Sequence, residues 1–327
     1  MHVAIIGAAG MLGRKLTARL AVDGRLGSAD LDHLTLLDVI EPDPPAGWTG
    51  KLDRARVDLA DPAGAGSAVA GRPDVVIHLA AVVSGEAEAD FDKGYRVNLD
   101  GTRALFDAVR AANAADGYQP RLVFTSSNAV YGPPLPNPVP EDFQQVALSS
   151  YGIQKSIGEL LLADYTRRGF FDGIGIRLPT ICIRPGKPNK AASGFFSGIL
   201  REPLIGQEAV LPVPDTLRHF HASPRSVVNW LVQATTLDGE QVGPRRTLAM
   251  PGLSATVGEQ IEALGRVAGD KAVKLIRREP DPAIMAIVGT WAPAVEFTRA
   301  ASLGFAAESS FDEIIRVHIE DELSSSL

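Results

Sequence analysis

The feature that most constrains this chain is a glycine-spaced turn, Gly7-Ala8-Ala9-Gly10-Met11-Leu12-Gly13, set between the apolar run Val3-Ala4-Ile5-Ile6 and a stretch of helical apolar spacing that begins at Met11. A strand that passes through glycines straight into a helix opens a βαβ unit, and such a unit calls for a parallel sheet with crossover helices. The first half of the chain keeps that rhythm. Short apolar runs at 2–6, 34–37, 54–57, 74–78, 121–125 and 173–178 predict strands, and amphipathic stretches at 11–22, 62–70, 91–115 and 151–168 predict the helices between them. The pattern is α/β, a doubly wound parallel sheet over residues 1–180. Beyond it the rhythm breaks at Arg184-Pro185-Gly186-Lys187-Pro188-Asn189-Lys190. A smaller C-terminal domain is expected over 181–327, with helices at 192–201, 223–236, 256–268 and 311–322, the second of them packing back on the first domain.

Glycine at a strand-to-helix turn lets backbone amides and the positive end of the helix dipole meet a pyrophosphate, where a Cβ would stand in the way. The spacing here is GxxGxxG, a looser signature than GxGxxG, so the neighbouring strand ends must carry part of the argument. Ligands of open parallel sheets bind beyond the carboxyl ends of the strands. Gly7, Asp38, Asp58, Ala80, Ser126 and Pro179 each fall at such an end. Asp38, closing the second strand, is placed to accept both hydroxyls of an adenosine ribose and to repel a 2′-phosphate, which favours NAD over NADP. Asp58 and Leu59 are expected at the adenine, and Leu79, Ala80 and Ala81 under the pyrophosphate and ribose. Gly10, Met11, Leu12 and Gly13 supply the turn and first helical amides. His78, in an apolar strand, reads as a satisfied core histidine rather than a ligand.

Tyr151 and Lys155 stand four residues apart at the start of a predicted helix, so both side chains project from one face. A tyrosine with a reference pKa near 10 is a poor base at neutral pH, and lowering that by about 3 units takes roughly 4 kcal/mol. A lysine beside it and a positively charged nicotinamide have the right sign to provide this. Ser127, just past the fifth strand, can donate to the same substrate oxygen, and Asn98, in the long fourth helix, can bridge Lys155 to solvent through water. A YxxxK spacing alone is common on helices. In the order glycine turn, Asp38, Asn98, Ser127, Tyr151 and Lys155 it gains weight.

Composition excludes several other function classes. A formal net charge of -7 with no Lys/Arg run argues against a nucleic-acid partner. The single cysteine, Cys182, leaves no internal disulfide and no multi-cysteine metal site, and the six histidines are scattered, so no metal is expected. No signal peptide and no run of roughly 20 apolar residues is visible, so the chain is expected to be cytoplasmic, with no membrane partner.

These residues resemble the extended short-chain dehydrogenase/reductases, also called the NAD-dependent epimerase/dehydratase family. The likeness rests on Gly7 to Gly13, His78 to Ala81, Asn98, Thr125-Ser126-Ser127-Asn128-Ala129-Val130-Tyr131-Gly132 and Tyr151-Gly152-Ile153-Gln154-Lys155. It implies a Rossmann fold, NAD as cofactor, Tyr151 as acid/base, Lys155 on the nicotinamide ribose and Ser127 orienting the substrate. A homodimer is implied by the resemblance only. A narrower likeness, to dehydrogenases of four-carbon sugar acids, rests on Ser84 to Asp92, Arg177 to Ile181, Arg184 to Ser193, Pro251 to Ser254, Glu279 to Ile284 and Val288 to Trp291. It implies oxidation of a C2 hydroxyl to a 2-oxo acid. Nucleotide-sugar epimerases usually carry Arg-Asp-aromatic-aliphatic-His in the second domain, whereas this chain has Arg218-His219-Phe220-His221-Ala222, which weakens that alternative. Arg184, Lys187 and Lys190 concentrate positive charge in one loop of an acidic chain, as a small carboxylate substrate requires, and Asn189 and Ser193 are candidate hydroxyl contacts. The rivals are a nucleotide-sugar epimerase or dehydratase, and a regulator that senses NAD(H) without turnover.

Overall fold

The computed structural model describes residues 1–186 and 192–324. The chain divides into two compact units, one built from residues 1–127, 149–177 and 228–248, the other from 128–148, 178–227 and 249–327. Residues 128–148 cluster with the second unit, and 228–248 with the first.

The first unit is organised on a seven-stranded sheet. Its strands are β1 (His2–Ile6), β2 (His33–Asp38), β3 (Lys51–Arg56), β4 (Val75–His78), β5 (Arg121–Ser127) and β6 (Asp172–Leu178), with Thr247–Ala249 at the edge. The order is Thr247–Ala249, β6, β5, β4, β1, β2, β3, so the strand order reverses between β1 and β4. Registers from β3 through β2, β1 and β4 to β5 are parallel. β1 and β4 are buried almost throughout, as strands covered by helices on both faces must be.

Helix α1 (Met11–Asp23) buries Gly13, Leu16, Thr17 and Leu20, one stripe at helical spacing, and stops where Gly24 turns left-handed at φ 61° and returns its N–H to Leu20 O. Helix α2 (Pro62–Ala70) starts on Asp61, whose carboxylate accepts from Ala63 N. The single helix expected over 91–115 is broken. A short turn at Phe91–Gly94 leads into a π-helical segment, Tyr95–Asp100, and only then into α3 (Gly101–Asp116). Helix α4 (Ser150–Arg167) is capped by Ser149 and packs closely over β5 at Gly158, where a Cβ would come within 2.7 Å of the Phe124 ring. Phe106, Phe124, Leu162 and Phe171 anchor the core under these helices. The connection between α1 and β2 folds into a small antiparallel hairpin, Arg25–Leu26 with Ala29–Asp30.

The second unit holds a three-stranded sheet in which Arg218–Ala222 runs antiparallel to Leu253–Thr256 and parallel to Thr180–Ile181. Helices Gly194–Leu204, Val257–Ala268 and Phe311–His318 enclose a core containing Cys182, Phe196, Leu264 and Phe311. Val257–Ala268 begins with a reciprocal capping box between Thr256 and Glu259. The last helix ends at His318 and continues as a π turn, Ile319–Leu323, rather than as one helix to residue 322.

Candidate active site

The glycine turn is shaped by close approach of backbone to backbone. Gly7 sits at φ +91°, and a Cβ there would lie 2.6 Å from Ala80 N; one on Gly13 would lie 2.2 Å from Gly7 O. Gly7 N and Ala8 N both donate to Leu37 O, tying the turn to the end of β2. Asp38 completes the tie, one carboxylate oxygen accepting from Ala9 N at 2.9 Å and the other from Val39 N at 2.7 Å. Helix α1 begins at Gly10 with no side-chain cap and no acidic residue in its first turn. The first amides of a helix have no intrahelical acceptor, so this end is a ready anion site, and the residues present fit a dinucleotide pyrophosphate.

At the end of β3, Asp58 accepts from Ala60 N and is paired with Arg96 Nη1 at 2.7 Å. The Arg96 hydrogen bond holds the Asp58 carboxyl below its usual range. Arg96 carries no sequence signal of its own; it reaches Asp58 from the π segment.

That segment also aims Asn98. The Asn98 amide grips Val82 from both sides, Oδ1 accepting from Val82 N at 2.9 Å and Nδ2 donating to Val82 O at 3.1 Å, and Nδ2 also donates to Gln154 Oε1 at 2.8 Å. Asn98 is 1% exposed. Its amide therefore fixes the chain just beyond Leu79, Ala80 and Ala81. Thr102 donates its hydroxyl to Asn98 O and pairs with His78 Nε2, which makes that nitrogen the protonated one. Burial, with Lys155 second, pushes the His78 pKa down to about 3, so it is a neutral core histidine as expected.

β5 ends at Thr125, Ser126 and Ser127. The Lys155 ammonium donates to Thr125 O at 2.9 Å and lies 4.9 Å from the Phe124 ring centroid and 5.7 Å from that of Tyr151. Lys155 is 2% exposed, and burial lowers its pKa to about 8 against the opposing pull of Glu159. Ser126 is turned inward, its hydroxyl donating to Glu159. The helix that carries Tyr151 receives Glu88 at its N-terminus, the Glu88 carboxylate accepting from Ser150 N at 3.0 Å.

In the second unit, Arg184 is tied into its own loop. Its backbone N donates to Ser197 Oγ, Nε to Ile181 O and Nη2 to Ser193 Oγ, each at 3.0 Å. Lys187, Asn189 and Lys190 lie outside the described residues. Pro179 follows β6 directly. Sequence reasoning missed Arg96, Glu88, Gln154 and Glu159. Only the last left a signal: it continues the four-residue spacing Tyr151, Lys155, Glu159.

A parallel sheet with an uncapped glycine turn at its switch point, an acid closing the neighbouring strand and a Tyr–Lys pair on the flanking helix defines a dinucleotide-binding oxidoreductase architecture. The chain belongs to the NAD dependent epimerase/dehydratase family, whose model matches residues 3–219. It is 49% identical to a D-erythronate dehydrogenase from Cupriavidus necator over 98% of both chains. A second D-erythronate dehydrogenase, from Haemophilus influenzae, is 38% identical over 99% of this chain and 100% of its own length. A solved structure from Agrobacterium tumefaciens, described as a nucleoside-diphosphate-sugar epimerase, is 67% identical with a TM-score of 0.97, covering 99% of this chain and 94% of that one. The chain is an enzyme of this family, an oxidoreductase with full-length dehydrogenase relatives. Among the described residues no helix is long and apolar enough to cross a membrane, and no cluster of His, Cys, Asp and Glu suits a metal ion.

Proposed function

We propose that this enzyme uses NAD to oxidise the C2 hydroxyl of a four-carbon sugar acid, D-erythronate being the leading candidate, to the 2-oxo acid. The observation that carries the chemistry is the buried Lys155 ammonium, held by Thr125 O beside the Tyr151 ring. A fixed positive charge at that position favours the phenolate of Tyr151, which then removes the hydroxyl proton as general base. Ser127, two residues along β5 from Thr125, orients the substrate oxygen. Arg184, with Ser193 and the loop residues Lys187, Asn189 and Lys190, holds the carboxylate.

Bound NAD supplies the hydride acceptor. Gly7, Gly10, Met11, Leu12 and Gly13 cradle its pyrophosphate, Asp38 takes the adenosine ribose hydroxyls, and Asp58 and Leu59 flank the adenine. Leu79, Ala80, Ala81, Asn98, Ser126 and Pro179 line the path towards the nicotinamide, whose ribose Lys155 holds. The full-length dehydrogenase relatives support the substrate class. Exposed Ile153 and Leu160 on α4, seven residues apart on one face, support the homodimer that the resemblance implies.

The description of the Agrobacterium tumefaciens structure favours a second reading, epimerisation of a nucleotide sugar, in which hydride leaves and returns. Absorbance of NADH on mixing the protein and NAD with D-erythronate, L-threonate and UDP-sugars separates them. Net NADH with an acid supports the dehydrogenase. Isomerised UDP-sugar without NADH from any acid overturns it.

A further inference from the structure

Behind the Tyr151–Lys155 pair lies a second buried set of charges. Glu159 is one helical turn beyond Lys155 on the same face of α4, and it is 4% exposed. Its carboxylate accepts from Arg177 Nε at 2.9 and 3.1 Å and from Arg177 Nη2 at 2.7 Å, in addition to the Ser126 hydroxyl. Arg177, on β6, is 9% exposed. Thr125 holds Lys155 while the adjacent Ser126 holds Glu159, so one strand end carries both groups. Buried ion pairs are weak devices for stability, since desolvation consumes most of the Coulombic gain. This one also joins the carboxylate one turn beyond Lys155 to a second buried cation, Arg177.

We propose that Glu159 is a positioning residue for the catalytic pair, its buried carboxylate offsetting Arg177 and supplying the negative field that keeps the Lys155 ammonium charged. The groups around Lys155 are Tyr151 and Glu159 from its own helix, neutral His78 from β4 and the untitratable Thr125–Ser127 end of β5, with Arg177 from β6 bound to Glu159. Among these Glu159 is the anion, and the pull of Glu159 on Lys155 against burial has this sign.

The proposal rests on reading Tyr151 and Lys155 as the catalytic pair, and its test needs neither cofactor nor substrate. In the full chain carrying isotope-labelled lysine, the ε-methylene resonance of Lys155, assigned by its loss in Lys155→Met, is followed against pH by NMR. Glu159→Gln should lower the Lys155 midpoint by about one pH unit, and Arg177→Gln should raise it. Opposite shifts from the two ends of one ion pair are the mark of a field effect, because loosened packing admits water and raises the midpoint in both. Ser126→Ala, which alters no charge, should leave it within about 0.3 units. A Lys155 midpoint that stays or rises in Glu159→Gln overturns the proposal. So does failure of both neutral variants to fold, which would make the pair a strut. If no sugar acid yields NADH while these shifts appear, the substrate assignment falls and the role of Glu159 stands. NADH formation with an unmoved Lys155 does the reverse.

Discussion

Three of the buried histidines, His78, His219 and His221, are held as neutral bases by their burial, and acid should unfold the protein through them well before its carboxylates titrate. His78 is 1% exposed, His219 6% and His221 0%. Burial depresses all three, with Lys155 adding to the effect at His78, Arg184 at His219, and His219 and Arg184 at His221. His78 and His219 fall to about 3, and His221 lies well below its ordinary 6.5. Above pH 6.5 both folded and unfolded chains are neutral at these positions, so the fold loses nothing. Below it the unfolded chain takes up protons that the folded chain refuses, and stability falls as pH falls. Between pH 7 and 5.5 each site costs about 1.3 kcal/mol, and the three together about 4 kcal/mol, a large part of the 5–15 kcal/mol typical of a folded domain. The paired carboxylates with lowered pKa values, Asp53, Asp58 and Glu259 among them, hold their protons only below this window, and Lys155 is charged throughout it. Urea unfolding followed by tryptophan fluorescence at the two pH values measures the difference. His221→Gln should remove about 1.3 kcal/mol of the pH dependence while leaving the rest. Because His219 and His221 lie in the second unit and His78 in the first, a biphasic transition at pH 5.5 should lose the second unit first. A total change under about 1 kcal/mol, or an unaltered pH dependence in His221→Gln, would refute the reasoning.

Tyr151→Phe should lower the rate of NADH formation by at least about 10³-fold while NADH binding, read by its fluorescence, is retained; near-parental turnover would remove Tyr151 from its role. Asp38→Ala should erode the preference for NAD over NADP and release Ala9 N from its carboxylate tie, and the ratio of kcat/KM for the two cofactors reports both. Gly13→Ala drives a Cβ to 2.2 Å from Gly7 O and should destabilise the protein by about 1–3 kcal/mol and weaken NAD binding, as thermal melts with and without NAD would register.

What the chain's own chemistry made legible was whatever depends on local pattern. The strands β1 and β4 and the helix Pro62–Ala70 follow from apolar periodicity and from an Asp-Pro start, and they lie where the pattern puts them to within a residue. The glycine turn was legible because the close backbone approaches at Gly7 and Gly13 are a requirement that few residue types meet. The break in the long helix was not legible. Residues 95–100 have ordinary helical character, and the π segment is held by partners distant in sequence, Val82 and Gln154 on Asn98 and Asp58 on Arg96. The Glu159 pair was half legible, since its helical spacing was in view but Arg177 reaches it from another strand. For the same reason residues 128–148 escaped assignment to the second unit: nothing local tells the chain after Ser127 which core its Val130, Tyr131 and Val139 will join.

The π segment has a consequence for how this enzyme can vary. Each residue of an α-helix turns it by about 100°, so a helix that absorbs one extra residue works as two rods with different faces, joined in series. Deleting a single residue between Tyr95 and Asp100 would give a more regular helix and a worse protein. Thr102 and the core side chains Leu105 and Phe106 would keep their places only if Arg96 and Asn98 swung away from Asp58 and Val82. Chains that share this site should therefore tolerate substitutions along residues 91–116 far better than any change in its length, and the irregular turn should prove the part of the helix least open to repair.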